Sequence, residues 1–254
     1  MSDAAPSGAP DTEVTNDALL DGRVLLRQPR SGFRAAIDTV LLAAAVPAAG
    51  GDRVLELGAG CGAAALCLAR RVAGVHVTGI ELQPALVRLA GENIRANGAQ
   101  DAVDIMLGDI AAPLPPRVQG LFDCVLFNPP YLDAVRARPP ADAARAAAHV
   151  EADTGLAAWI ACAQATLRPK GMLTLIHRAD RLDDVIAGLR ARFGGITVFP
   201  LWPRAGQPAR RVIVRARKGM ATPLVLAPGL VLHEADGSYT AAADAVLRGA
   251  ALEF

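Results

Sequence analysis

Apolar residues along the chain come in short blocks whose period switches regularly between that of a buried strand and that of a helix. The run Val54 to Leu57 suits a buried strand, and Ala63 to Arg71 repeats at helical spacing behind a glycine-rich turn. VHVTGIEL and VDIMLGD then read as strands on either side of PALVRLAGENIRANG, a helix ended by Asn97-Gly98. Upstream, residues 36 to 46 predict a helix closed by Pro47, Gly50 and Gly51. Downstream, Val125 to Phe127 predict a buried strand halted by consecutive prolines, residues 154 to 167 a helix, GMLTLIHR a fifth strand and LDDVIAGLRARFG a further helix. ITVFPLW and RRVIVRA are two strands separated only by PRAGQPA, so they pair as antiparallel neighbours.

Seven strands, the first five alternating with helices and the last two forming a hairpin, predict an α/β fold with a doubly wound, mostly parallel sheet. No internal repeat is visible, and no shift in composition divides residues 36 to 218. The expected organisation is a solvated tail over residues 1–17, rich in Pro, Ser and Asp, followed by one domain over 18–254. The tail has neither the basic nor the apolar segment of an export signal, and the apolar run Val40 to Ala49 is too short to span a bilayer. A soluble, cytoplasmic protein without membrane contact is the expectation.

Composition narrows this further. With 254 residues, 52% of them apolar, the chain can fill a substantial core, which excludes disorder for its bulk. Only 4% are aromatic, so Ala, Leu and Val must do most of the packing. Cys61, Cys67, Cys124 and Cys162 form no CxxC pair and sit near no clustered histidines, so neither a metal site nor a disulfide framework is expected. The formal charge of +1 conceals an asymmetry: residues 134–220 hold 15 lysines and arginines against 6 acidic residues, an excess of nine. An anionic partner suits that region, whereas an arginine-biased surface explains it equally well.

Candidate chemistry clusters where a doubly wound sheet places its ligands, outside the carboxyl ends of the strands beside the first one. Glu56-Leu57-Gly58-Ala59-Gly60-Cys61-Gly62 lies there, and Gly58, Gly60 and Gly62 allow a tight turn and close backbone approach to a ligand. Glu81, ending the second strand, is placed to accept from both hydroxyls of a ribose; Asp109, after the third, from an adenine amino group. Gly58, Gly60 and Ala63 also satisfy the dinucleotide pattern, so these residues by themselves leave NAD open.

Asn128-Pro129-Pro130-Tyr131 follows the fourth strand directly and projects into the same crevice. The Asn128 side-chain oxygen and the Pro129 carbonyl can each accept one N–H of a planar amino group, drawing its nitrogen toward tetrahedral geometry. Pro130 stiffens the turn, and Tyr131 offers an aromatic face for a flat substrate. The stretch 132–150 that follows is longer than an ordinary strand-to-helix loop and is a further candidate. His177 and Arg178 either line the crevice or merely cap the fifth strand and pair with Asp180 or Asp183. Trp159 is read as core. Alternation in RRVIVRARK puts Arg211, Arg215 and Arg217 on one face, either a phosphate-tracking stripe with Arg204, Arg210 and Lys218 or a solvated surface.

ELGAGCG, Glu81, Asp109 and NPPY together resemble the class I S-adenosylmethionine-dependent methyltransferases that methylate amino groups. That resemblance implies the strand order 3-2-1-4-5-7-6 with strand seven antiparallel and S-adenosyl-L-methionine as cofactor. GFRAAIDTVLLAA, LTLIHRADRLDDV and LVLHEADGSYTAAADAVLRG are similar to segments of the bacterial tRNA1(Val) adenine-N6 methyltransferase family, from about residue 20 to 250. By that resemblance Asp38 lies near the methionine end of the cofactor and the partner is tRNA. The expected activity is adenine-N6 methylation of tRNA; the alternatives are glutamine-N5 methylation of a protein such as a release factor, guanine-N2 methylation of rRNA, and a non-catalytic RNA-binding module.

Overall fold

The computed structural model describes residues 13–31, 34–112, 114, 118–130 and 155–254. In chain order its elements are β1 (Val14–Leu19), β2 (Val24–Pro29), α1 (Ile37–Ala45), β3 (Arg53–Leu57), α2 (Ala63–Arg71), β4 (His76–Glu81), α3 (Pro84–Ala96), β5 (Val103–Leu107), β6 (Phe122–Phe127), α4 (Gly155–Thr166), β7 (Leu167–Arg178), α5 (Leu182–Arg190), β8 (Phe193–Arg204), β9 (Arg211–Lys218), β10 (Val225–Leu226), β11 (Leu230–His233) and α6 (Ala241–Leu247). The main sheet runs β5-β4-β3-β6-β7-β9-β8, and β9 is antiparallel to both neighbours while the other pairs are parallel. The seven expected strands therefore lie in the order 3-2-1-4-5-7-6. Two short strands not read from the sequence, β10 and β11, both pair in parallel with the outer edge of β8 and extend the sheet to nine.

Strand alternation divides the core between the two faces of this sheet. Val54, Leu126, Ile176 and Ile213 pack beneath α1 and α2, whereas Leu55, Leu57, Val125, Phe127 and Leu175 face the opposite layer with Trp159, Val185 and Leu189. Central strands covered on both faces must be apolar over their covered length, which is why Cys124 to Phe127 reads as a block and not as an alternation.

Helix α1 ends without a basic residue in its last turn, and its carbonyls are satisfied from elsewhere. Arg71 of α2 donates from Nη1 to the Ala43 carbonyl at 2.7 Å, and Arg215 of β9 donates from Nε to that of Ala45 at 2.7 Å. The Arg215 guanidinium also lies 3.5 Å from the centroid of the Phe254 ring. These contacts place two cations against the negative end of the helix. They also correct one reading of RRVIVRARK: Arg211 and Arg215 share a face, but that face is covered by α1 and the C-terminal segment. Arg211 pairs with Asp38 at 3.0 Å, and Arg215 is turned inward.

The chain departs from expectation most at its start. Val14–Leu19 and Val24–Pro29 form an antiparallel hairpin, so the tail expected to reach residue 17 gives way to a strand at Val14. The turn uses Leu20, Asp21 and Gly22 at φ of 52°, 58° and 80°, and Val24 and Leu26 bury their side chains beneath it. Asp21-Gly22 is a hairpin signal, and burial of alternate β2 residues supplies the energy that a polar tail would lack. Tyr131 and the stretch 132–150 lie outside the described residues, as do residues 1–12. Among the described residues no helix is long and apolar enough to cross a membrane, and no group of three His, Cys, Asp or Glu side chains is placed to hold a metal ion.

Candidate active site

The chain leaves β3, passes outward through β4 and β5, and returns to β6 on the other side of β3, so the topological switch point falls between β3 and β6. The turn after β3 carries Gly58, Gly60 and Gly62 at φ of 63°, 57° and 83°. Two of these glycines serve different ends. A Cβ on Gly58 would stand 2.6 Å from the Trp159 ring, so Gly58 lets that buried indole close the floor of the site. A Cβ on Gly60 would meet nothing within 4 Å, which leaves its backbone open to an incoming ligand.

Two clefts meet at Gly58. The larger, about 500 Å³ including space open to solvent, is walled by Pro29, Ala35, Thr39, Glu56, Gly60 and Asn128 among others. The smaller, about 280 Å³ on the same measure, is lined by Gly58, Ile80, Leu82, Asp109, Ile110 and Trp159. Glu81 lines neither cleft itself, but its neighbours Ile80 and Leu82 line the smaller and its hydrogen-bond partner Gly60 lines the larger. It is only 3% exposed: Oε2 accepts from the Gly60 N–H and Oε1 from the Gln83 N–H, both at 2.8 Å. Burial pushes its pKa up, against the lowering effect of the N–H groups of Gln83, Gly60 and Leu82. The carboxylate retains acceptor capacity beyond these backbone partners.

Glu56 is buried as well, at 6% exposed. Its Oε2 accepts from the Ala65 N–H of α2 at 2.9 Å, and burial raises its pKa to about 8, with the nearby Glu81 charge adding to the rise. Asp109 is exposed at the mouth of the smaller cleft, where Oδ1 accepts from the Ala111 N–H at 2.8 Å. Cys61, on the wall of the larger cleft, is held as a neutral thiol, its pKa pushed up to about 12 by burial.

The structure thus brings Glu56, Gly58, Gly60 and Asn128 to one cleft and sets Asp109 at its neighbour. Pro129 is buried and Pro130 half-buried after β6. Gly62 begins α2 and packs toward Ala90, behind the clefts and not on their walls. Asp38 is not on the cleft wall: Thr39 and Leu42 of α1 occupy it, while Asp38 points to Arg211. Arg178 forms an ion pair with Asp180, as one reading of that segment held, and His177 is buried with its pKa lowered chiefly by burial. Trp159 is core, 3% exposed and 5.5 Å from the Phe127 ring, and also forms the floor of the smaller cleft. Sequence reasoning missed that second duty, along with the walls supplied by Pro29, Ala35 and Thr39. The signal for the latter was the missed hairpin itself, which delivers Pro29 to the cleft.

Comparison with known proteins agrees with this geometry. A family model described as the methyltransferase small domain matches residues 34–199. A protein of Tolumonas auensis named tRNA1(Val) (adenine(37)-N6)-methyltransferase is 30% identical over 200 residues, covering 78% of this chain and 77% of that one. A release factor glutamine methyltransferase of Gloeobacter violaceus is 32% identical over 167 residues, 60% of this chain and 55% of that one. Among solved structures, one from Agrobacterium tumefaciens described as a predicted O-methyltransferase superposes with a TM-score of 0.71 at 29% identity, covering 85% of this chain and 98% of its own. The chain belongs to the methyltransferase small domain family and is an S-adenosylmethionine-dependent methyltransferase.

Proposed function

We propose that this enzyme methylates the N6 amino group of an adenine in tRNA, with S-adenosyl-L-methionine held across the two clefts. The observation that carries the reading is the position of Asn128 on the wall of the cleft that also exposes Glu56, Gly58 and Gly60. An acceptor suited to a substrate amine thereby faces the turn suited to the methyl donor. The name and coverage of the Tolumonas relative support tRNA adenine as the substrate.

The residues fit the cofactor on their own chemistry. Gly60 leaves open space above its backbone, Glu81 offers two partly used carboxylate oxygens to a ribose diol, and Asp109 stands between Leu82 and Ile110 where an amino-bearing heterocycle has apolar walls. Glu56, a carboxyl on the larger cleft, suits the cationic end of the molecule. When bound, the cofactor supplies an electrophilic methyl group on a sulfonium sulfur. Asn128 and the Pro129 carbonyl hold the two N–H groups of the substrate amine and aim its nitrogen lone pair into the cleft; the surplus proton leaves to solvent. Tyr131, next in the chain, is assigned the stacking of the extruded base.

Incubation with methyl-labelled cofactor and, separately, total tRNA, rRNA and a protein fraction tests the reading. Label entering tRNA supports it; label confined to rRNA or to glutamine in protein replaces the substrate class.

A further inference from the structure

The hairpin β1–β2 is docked onto α3 by two asparagine side chains acting in place of a strand. Asn97 Oδ1 accepts from the Leu25 N–H at 2.8 Å, and its Nδ2 donates to the Leu25 carbonyl at 2.7 Å. Four residues earlier, Asn93 Oδ1 accepts from the Arg27 N–H at 2.8 Å, and its Nδ2 donates to the Arg27 carbonyl at 2.9 Å. Each amide therefore exchanges both bonds with one β2 residue, as a hydrogen-bonded pair in an antiparallel ladder does. The spacing makes this possible: four residues of helix advance about 6 Å, close to the roughly 6.8 Å covered by two residues of strand. The free edge of β2 is thus closed by a helix.

Asn93 does more than dock the hairpin. It is fully buried, and its second N–H donates to the Cys61 carbonyl in the glycine turn at 2.9 Å, which uses every donor it has. On the hairpin side, Gln28 is 2% exposed and continues the connection: its Oε1 accepts from the Ala35 N–H at 2.8 Å, and its Nε2 donates to Asp17 at 3.0 Å. Pro29 and Ala35 wall the larger cleft opposite Gly60 and Cys61. One asparagine side chain therefore sets the distance between the two walls.

Resting on the cofactor reading above, we propose that Asn93 and Asn97 are positioning residues that couple docking of the hairpin to occupancy of the cofactor cleft. Ligand in the cleft fixes Pro29 and Ala35, and so tightens the amide pairs on Leu25 and Arg27; release of those pairs loosens the wall.

The test uses the full chain with S-adenosylhomocysteine, the demethylated product of the cofactor, as probe. Backbone amide exchange at Leu25 and Arg27 is followed with and without the probe, and its affinity is measured by calorimetry for wild type, N97A, N93A and E81A. Asn97 does not touch the glycine turn, so N97A remains informative where N93A fails to fold. The expected result is slower exchange at Leu25 and Arg27 on binding, and a loss of affinity in N97A of about fivefold or more with the folded state retained. A merely structural role would lower stability in N97A yet leave both the affinity and the ligand-dependent protection as in wild type; that result overturns the coupling while loss of binding in E81A preserves the cofactor site. No binding by wild type overturns the cofactor reading and the coupling together.

Discussion

Glu56 and Glu81 are carboxyls buried in the same site and held by backbone N–H groups, and the surroundings of Glu56 make a pH dependence that identifies it. Its folded-state pKa of about 8 lies above the ordinary carboxyl value of 4.5, so the folded protein binds a proton that the unfolded chain has lost. Stability contributed by neutral Glu56 is complete below pH 4.5 and falls as pH rises toward 8, by roughly 1.4 kcal/mol for each pH unit in that window. Urea unfolding across pH 5 to 8 should show stability falling with pH in wild type and falling less steeply in Glu56→Gln, the remainder including Glu81, whose pKa burial also raises. At Glu81 and Asn128 the expected effects separate. Glu81→Ala should weaken S-adenosylhomocysteine binding by about 1.5–3 kcal/mol, the worth of hydrogen bonds to a charged group, as calorimetry would show. Asn128→Ala should leave that affinity nearly intact while cutting turnover by about a hundredfold or more, because the amide acts on the substrate amine. That Glu56, Gly58, Gly60 and Asn128 come to one cleft was legible in the sequence, because a glycine turn and an Asn-Pro step each follow a buried strand directly. Asp38 was placed by resemblance, and its pairing with Arg211, 173 positions away, has no local signature.

At the scale of elements, the instructive contact is between β9 and the end of α1. The Ala45 carbonyl lies at a buried helix terminus where no intrahelical N–H remains, and Arg215 supplies the donor. Burial lowers the Arg215 pKa to about 10, so holding the charge there has a desolvation cost. The hydrogen bond, the helix dipole and the Phe254 ring offset part of it, and a pKa of about 10 leaves the guanidinium charged at neutral pH. Arg215→Met should destabilise the protein by about 1–2 kcal/mol in chemical denaturation, since the apolar side chain leaves the carbonyl without a donor. The regular βα alternation was readable because both element types carry their period in adjacent residues. The N-terminal hairpin was not: β2 reads VLLRQP, its inward positions include Gln28, and the docking asparagines lie on α3. Likewise β10 and β11, two and four residues long, exist only through the edge of β8.

For the whole molecule, residues 134–220 carry an excess of nine positive charges, and among the described residues of that region the arginines differ in exposure. Arg204 and Arg210 are exposed around the β8–β9 turn, at the end of the sheet that carries Asn128, whereas Arg215 faces inward. If tRNA phosphates lie along that rim, Arg204→Ala with Arg210→Ala should weaken binding across many sequences and make the salt slope shallower by roughly one to two. Arg215→Met should leave the slope as it is. Superimposable salt titrations for the double variant and wild type would assign the two arginines to solvated surface alone.

Adenine N6 as the acceptor and Asn128 as the group that orients it are tested most directly by nucleoside mass spectrometry of tRNA lacking the modification, after incubation with S-adenosyl-L-methionine and either wild type or the Asn128→Ala enzyme. N6-methyladenosine formed by wild type and reduced about a hundredfold or more in the variant is the expected result. Methylation at a different atom, or an equal yield from Asn128→Ala, would contradict it.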